Sequence, residues 1–549
     1  MKKILSFFLA LSFGLLSVSA QNKDPEFVKY MNSPWVDSVY KSMTLKQQIG
    51  QMIFVELRPS NPSTVVKAMQ DVKDLNVGGA VLFLSKLPDQ AATINGLQSI
   101  ARTPLLIAID GEWGLGMRLQ DVDNFPYQMA LGSLKDNSLI YKMGLEVARQ
   151  AKRAGLHINL APTVDVNNNS LNPVIGYRSF GEDPKDVAAK GFSYIKGMED
   201  GGIICTAKHF PGHGDTETDS HADLPLISHD MNRLNSVELM PFHELVKNGA
   251  TGIMTAHLNV PAITGNSLPT SLSPKAIKEL IRDKWGYKGL IFTDGMEMRG
   301  ISKYYSPGQA ARMAAEAGND ILELVRDPKE AIDSIYAAVQ KGQISKKQIE
   351  ESVRRILAIK YYVGLNKYKP TNTWNIVSDV NSPASKLLIR QMTEKTITGL
   401  QNNDNILPLE TGKFKKIAVV SLRSDNSDVF YNRFKKYFKA DYFKYDFKNS
   451  LTKADDILDS LKKYDLVIAE TGGFSTRPGK AQKVEDPKKN YVLEYGVTTN
   501  LQHFMDRLTK EHPNTVLAVF GMPYVMDYMP AIKNAKAVLF SQGNNALSQ

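Results

Sequence analysis

The run Ile203-Ile-Cys-Thr-Ala-Lys208, closed by His209, reads as a short strand that delivers basic side chains at its end. Apolar residues occupy both alternations, as expected of a strand covered on both faces in a parallel sheet. Seven more runs have the same character: Gln51–Leu57, Gly79–Leu84, Pro104–Ile109, His157–Leu160, Gly252–Ala256, Gly289–Thr293 and Asp320–Val325. Amphipathic stretches such as Leu139–Ala154, Pro184–Asp200 and Pro274–Lys284 lie between them. Eight buried strands separated by helical stretches predict a (β/α)8 barrel of the TIM type, with an open doubly wound sheet as the alternative. Asp110, Asp165, His209, His257 and Asp294 all follow strands, at the end where a barrel keeps its chemistry. Capping of the next helix is the simpler explanation for any one of the aspartates.

Beyond the barrel, residues 368–384 form a turn-rich polar linker, and a helix over Ser385–Leu400 leads into strands at Lys416–Leu422, Asp465–Glu470, Thr515–Phe520 and Ala537–Phe540. This predicts a smaller α/β layered domain over 385–549, which is expected to be incomplete because the chain stops where another helix is due. At the other end, Lys2 and Lys3 precede an apolar Ile4–Leu16 and a small-residue Val18-Ser19-Ala20, the pattern of a signal peptide over residues 1–20. The barrel is then expected over 21–367, in an exported protein, periplasmic or secreted, with no membrane span in the mature chain.

Composition narrows the function classes. Lys plus Arg number 67 against 57 Asp plus Glu, and 43% of residues are hydrophobic, which excludes a disordered chain. No basic cluster is interleaved with aromatics, so nucleic acid is not an expected partner. Cys205 is the only cysteine, so neither an internal disulfide nor a multi-cysteine metal cluster is possible.

The densest chemistry lies in Lys208-His-Phe-Pro-Gly-His-Gly-Asp-Thr-Glu-Thr-Asp-Ser-His221. Pro211, Gly212 and Gly214 prevent a regular helix, so this is a loop at a strand end. A metal site built from His209, His213, His221 and a carboxylate is one reading, but paired histidines four apart bind metal on a helix. A proton-transfer site is the other: Asp219 lies two residues from His221 and can orient its imidazole and stabilise the charged form.

The whole Lys208–His221 segment resembles the β-N-acetylglucosaminidase branch of the family 3 glycoside hydrolases. Asp110-Gly-Glu-Trp-Gly through Arg118, Ala161-Pro-Thr-Val-Asp165, Asn172 through Arg178 to Pro184, and Gly289-Leu-Ile-Phe-Thr-Asp294 agree in order. The resemblance covers residues 40–365. It implies a retaining exo-β-N-acetylglucosaminidase that needs no cofactor or metal and acts on a carbohydrate such as a peptidoglycan fragment. Asp294 would be the nucleophile, His221 the acid/base oriented by Asp219, and Asp110, Arg118, Arg178, Lys208 and His209 would hold the sugar hydroxyls. The loop Glu112-Trp-Gly-Leu-Gly116 departs from the Glu-Gly-Gly of many relatives. Glu297 is the alternative nucleophile. Alternative functions are a β-glucosidase-type or phosphorolytic member, a barrel metallohydrolase, or an inactive carbohydrate-binding scaffold.

Overall fold

A computed structural model of the chain describes residues 22–220, 223–423, 428–447, 451–486 and 489–543. The expected signal peptide, and His221, lie outside the described residues. Eight strands build the first sheet: β1 (Ile53–Leu57), β2 (Gly79–Leu82), β3 (Leu106–Ile109), β4 (Ile158–Asn159), β5 (Ile204–Phe210), β6 (Gly252–Thr255), β7 (Leu290–Thr293) and β8 (Leu322–Glu323). Each pairs in parallel with its sequence neighbour from β1 to β7, and β8 returns to pair with β1. A Phe292–Ile321 bridge and the Thr293 amide donating to the Ile321 carbonyl bring β7 against β8, so the sheet nearly closes into a TIM-type barrel. The open doubly wound alternative is thereby excluded.

The strands are short, and nearly every residue in them is buried, because helices cover the outside while side chains fill the inside. The covering helices are tied down where the sequence signals their starts. Asp183 accepts hydrogen bonds from the Lys185 and Asp186 amides at the head of Pro184–Asp200, with Pro184 at the first helical position. Asp327 and Ser345 cap Pro328–Gln340 and Lys346–Tyr362 in the same manner. A single large core joins barrel and helices.

The second unit is a six-stranded sheet in the order β11-β10-β12-β13-β14-β9. Its members are β9 (Thr398–Asn402), β10 (Ile417–Arg423), β11 (Asp441–Tyr445), β12 (Leu466–Gly472), β13 (Thr515–Phe520) and β14 (Ala537–Ser541). All pairings are parallel except β14 with β9. Two expectations change here. The helix expected over Ser385–Leu400 ends at Thr396, because β9 follows at once and pairs with β14. The polar stretch before it carries a short helix, Ile376–Val380, strapped to the barrel by Arg149 and Arg153, which donate to the carbonyls of Asp379, Val380, Asn372 and Trp374.

The second unit also reaches the barrel's C-terminal end. Asn167, beyond β4, donates to the Tyr524 hydroxyl at 2.6 Å, and the Tyr495 hydroxyl donates to the Ser170 carbonyl. These contacts set Arg477 beside the cavity described next.

Candidate active site

A cavity of about 430 Å3 opens at the C-terminal ends of the barrel strands, the end that serves catalysis in this architecture. Asp110, Arg118, Arg178, Lys208, His209 and Asp294 all line it. Residues spread over 185 positions of sequence are thus brought to one place by strand-end geometry.

Five of them belong to one charged network. Lys208, third from the end of β5, is 2% exposed and not a solvated surface lysine. Its ammonium lies 2.9 Å from Asp110 Oδ1 and 2.8 Å from Glu112 Oε1. Arg118 pairs with the other Asp110 oxygen at 2.5 Å and stacks its guanidinium over Phe83. Arg178 makes a forked contact with Glu112, its Nη2 at 2.7 Å from Oε1 and its Nε at 2.9 Å from Oε2. Glu182 and Asp183, the acids nearest Arg178 in sequence, are not its ion-pair partners here. Asp110 does not cap a helix; it is an ion-pair member.

Burial alone would raise the carboxyl pKa values, but the adjacent cations win. Lys208 and Arg118 hold Asp110 well below the usual carboxylate range, and Arg178 and Lys208 bring Glu112 down to about 2. The cations respond in kind: burial opposes their charge, yet Asp110 and Glu112 raise Lys208, and Glu112 raises Arg178. A carboxylate depressed in this way stabilises the fold above its ordinary pKa of 4.5, and that contribution is lost as pH falls through about 2. Urea midpoints are therefore expected to drop between pH 4.5 and 2, and Glu112→Gln should show a shallower drop across that window. A parallel decline in both proteins would remove Glu112 from the account.

His209 is fixed from both sides. Its Nδ1 lies 2.7 Å from Asp165 Oδ2 and its Nε2 lies 3.2 Å from Arg178 Nη2. A guanidinium only donates, so Nε2 accepts and Nδ1 carries the proton given to Asp165. Asp165, fully buried beyond β4, also accepts the His209 and His213 amides. It is an orienting group rather than a helix cap. His257, after β6, is likewise buried and reaches the Ser271 hydroxyl and the Gly295 carbonyl, bracing the turn that carries Asp294.

The loop after β5 is held by its small and polar residues. Gly214 packs on the strand extension beyond β4, where a Cβ would come within 1.8 Å of the Val166 carbonyl oxygen. Asn172 donates to the His213 and Gly214 carbonyls. His213 is 1% exposed, reaches Thr216 through Nδ1 and Ser220 through Nε2, and burial lowers its pKa to about 4. With both ring nitrogens of His209 and of His213 engaged, and Arg178 against His209, these two histidines are not arranged to hold a metal. Asp219 lies on this loop, and Ser220, the residue before His221, lines the same cavity as Asp294.

Asp294 follows β7 directly. Its amide donates to the Thr255 carbonyl, and its Oδ1 accepts the Gly295 amide at 2.8 Å. Glu297 sits at the rim with its carboxyl folded over Gly295, and burial of that carboxyl together with the charges of Asp294 and Glu56 pushes its pKa up to about 7.

Residues 44–359 match the glycosyl hydrolase family 3 N-terminal domain. The chain belongs to glycosyl hydrolase family 3. Among relatives of this family 3 enzyme, β-hexosaminidase A of Pseudoalteromonas piscicida is 28% identical over 538 residues, covering 86% of each chain. A β-N-acetylglucosaminidase/β-glucosidase of Cellulomonas fimi is 25% identical over 404 residues, 72% of this chain and 71% of its own. The solved family 3 β-N-acetylglucosaminidase of Paenibacillus sp. str. FPU-7 superposes with a TM-score of 0.72 at 28% identity, covering 92% of this chain and 95% of that one. The protein is a glycoside hydrolase, and carbohydrate is its substrate class. Among the described residues, no helix is long and apolar enough to cross a membrane.

Two site residues of this glycoside hydrolase escaped sequence reasoning. Glu112 was visible only as part of an atypical loop, although it is the anion shared by Arg178 and Lys208. Glu323 closes the shortest kind of strand, β8, and nothing local marks it as facing the barrel interior.

Proposed function

We propose that this enzyme is a retaining exo-β-N-acetylglucosaminidase that removes terminal N-acetylglucosamine from peptidoglycan fragments or related glycans. The observation that carries the reading is the shared cavity: Asp294 faces the same space as the Asp110–Lys208–Glu112–Arg178–His209 network, and Ser220 lines it too. The preference for N-acetylglucosamine rests on the names of the relatives. The export pattern of residues 1–20 would bring the enzyme to a compartment where cell-wall fragments are released.

In this mechanism the sugar hydroxyls bind the charged network, which makes strong directional hydrogen bonds. The Asp294 carboxylate attacks the anomeric carbon, the bond to the leaving oxygen breaks, and His221 gives that oxygen a proton. Water then attacks the glycosyl-Asp294 ester, His221 takes back a proton, and the freed sugar leaves. The ordinary pKa of imidazole lies near neutrality, so one group can give and then take the proton. Asp219 would orient it.

The deciding assay is release from a panel of aryl β-glycosides (N-acetylglucosaminide, glucoside, xyloside) together with muropeptides. Preferred release of N-acetylglucosamine is expected, and a preference for glucoside or xyloside would overturn the substrate assignment. His221→Ala should lose about 10²- to 10⁴-fold on substrates with poor leaving groups and much less on an activated aryl glycoside, because a good leaving group needs little protonation. Asp219→Ala should act through the same group, so adding it to His221→Ala should cost little more. Equal losses across leaving groups would rule out His221 as the acid.

A further inference from the structure

Asp110 follows β3 and Asp294 follows β7, and in an eight-stranded ring these positions are diametrically opposed. A pyranose whose anomeric carbon meets Asp294 therefore turns C4 toward Asp110. Its two remaining edges then face opposite walls. The wall on the β5 side is polar, with Lys208, His209 and Arg178 in a row. That array suits the edge with two adjacent substituents, at C2 and C3. The opposite wall, from β8 through β1 to β2, places Val81, Phe83 and Leu324 on the cavity, with Glu323 among them. Arg118 stacks over Phe83 but is taken by Asp110, whereas Glu323 offers a buried carboxyl oxygen without a partner; that group set in apolar surface fits the C5 edge, which is carbon-rich and bears one hydroxyl, on C6.

Glu323 is an unusual group in that wall. It is 2% exposed, and its Oε1 has no hydrogen-bond partner among the described residues. Its backbone is already committed: the amide donates to Thr293 Oγ1, and the carbonyl accepts the Met296 amide on the Asp294 turn. A buried carboxyl oxygen without a partner is costly, and a ligand hydroxyl would relieve that cost. The structure assigns to Glu323 the role of binding the C6 hydroxyl of the sugar, making it a specificity-determining residue for hexosides over substrates that lack that hydroxyl. The assignment rests on the glycosidase reading of the site. Burial, reinforced by the negative charges of Asp110 and Asp294, pushes the Glu323 pKa well above the usual range. That shift favours the carboxylic acid form, which has a proton to donate as well as an oxygen to accept, and both suit a hydroxyl.

The test measures kcat/KM on an aryl β-N-acetylglucosaminide and its 6-deoxy counterpart. The parent enzyme should prefer the 6-hydroxyl substrate about 100-fold, since a site built to hydrogen-bond a hydroxyl rejects the analogue without it. In Glu323→Leu that preference should fall to about threefold or less, with the larger loss on the hydroxylated substrate. Glu323→Gln, neutral and able both to donate and to accept, should keep most of it. A preference undiminished in Glu323→Leu, or equal losses on the two substrates, overturns the assignment. If Glu323→Leu does not fold, Glu323→Asp withdraws the carboxyl by one methylene, and the same fall in preference is expected. A parent inactive on both aryl glycosides counts against the glycosidase reading itself. Calorimetric binding of methyl β-N-acetylglucosaminide and its 6-deoxy form to parent and variant then decides the Glu323 contact: a 6-hydroxyl preference lost in the variant supports it, and one unchanged or absent overturns it.

Discussion

Asp294→Ala is expected to lower kcat by ~10⁴-fold or more while leaving the fold intact, since under the proposed mechanism it removes the covalent nucleophile and with it the lower-energy path. The residue sits on a turn held by backbone bonds, with its amide given to the Thr255 carbonyl, so truncating the side chain does not remove that support. The expected chemistry is specific. With the carboxylate gone, a small external anion such as azide can attack the anomeric carbon from the vacated side, and an activated aryl β-glycoside should then yield an α-glycosyl azide. Turnover within tenfold of the parent would place the nucleophile elsewhere, and Glu297 would be the next residue to replace.

Lys208→Met should be nearly as damaging for a different reason. One ammonium serves two buried carboxylates, Asp110 and Glu112, so the substitution strands two anions at once. Breaking a buried pair outright costs about 3–5 kcal/mol, and here the arginine left on each carboxylate keeps the loss at or below that range. Arg118 still holds Asp110 through Oδ2 and Arg178 still grips both Glu112 oxygens, so the protein is expected to fold at reduced stability. The sugar-binding network is then distorted, and kcat/KM should fall by at least ~10²-fold, on the scale of the free energy lost. Lys208→Arg should not restore it: a planar fork cannot bridge the two carboxylates as a compact ammonium does. Denaturant melts at pH 7 read alongside kinetics separate the two losses. Parent-like stability and activity in Lys208→Met would mean that the network has no role in either.

The fold was readable because buried parallel strands leave a dense local pattern. Each of the eight apolar runs overlaps a barrel strand, and the ends differ by two residues at most; β5 alone runs past its expected end, to Phe210. The strands missed in the second unit lack that pattern. Asp441–Tyr445 mixes charged and aromatic residues and lies at the sheet edge, and Thr398–Asn402 is mostly exposed and defined by its antiparallel partner β14. Long-range pairing decided both, and no local propensity reports it. At the site, chemistry-bearing residues stood out by type and position, but their partners did not. Arg178 has two acids within five residues and uses Glu112, 66 positions away, because the barrel brings the β3 and β5 ends and the Gly176–Arg178 turn together. Glu323 reads as an ordinary acid at the end of a short strand, and only closure of the ring turns it inward.

Within the network, Asp110 and Glu112 face Lys208, Arg118 and Arg178, and Asp165 lies behind His209 within the field of Arg178, three anions against three cations. The pocket floor is thus electrically neutral before any sugar arrives, and the negative charge of Asp294 comes on top of that balance. Such a field gives little to a neutral ground-state sugar and more to an anomeric centre acquiring oxocarbenium character, so rate enhancement and tight retention of product are decoupled.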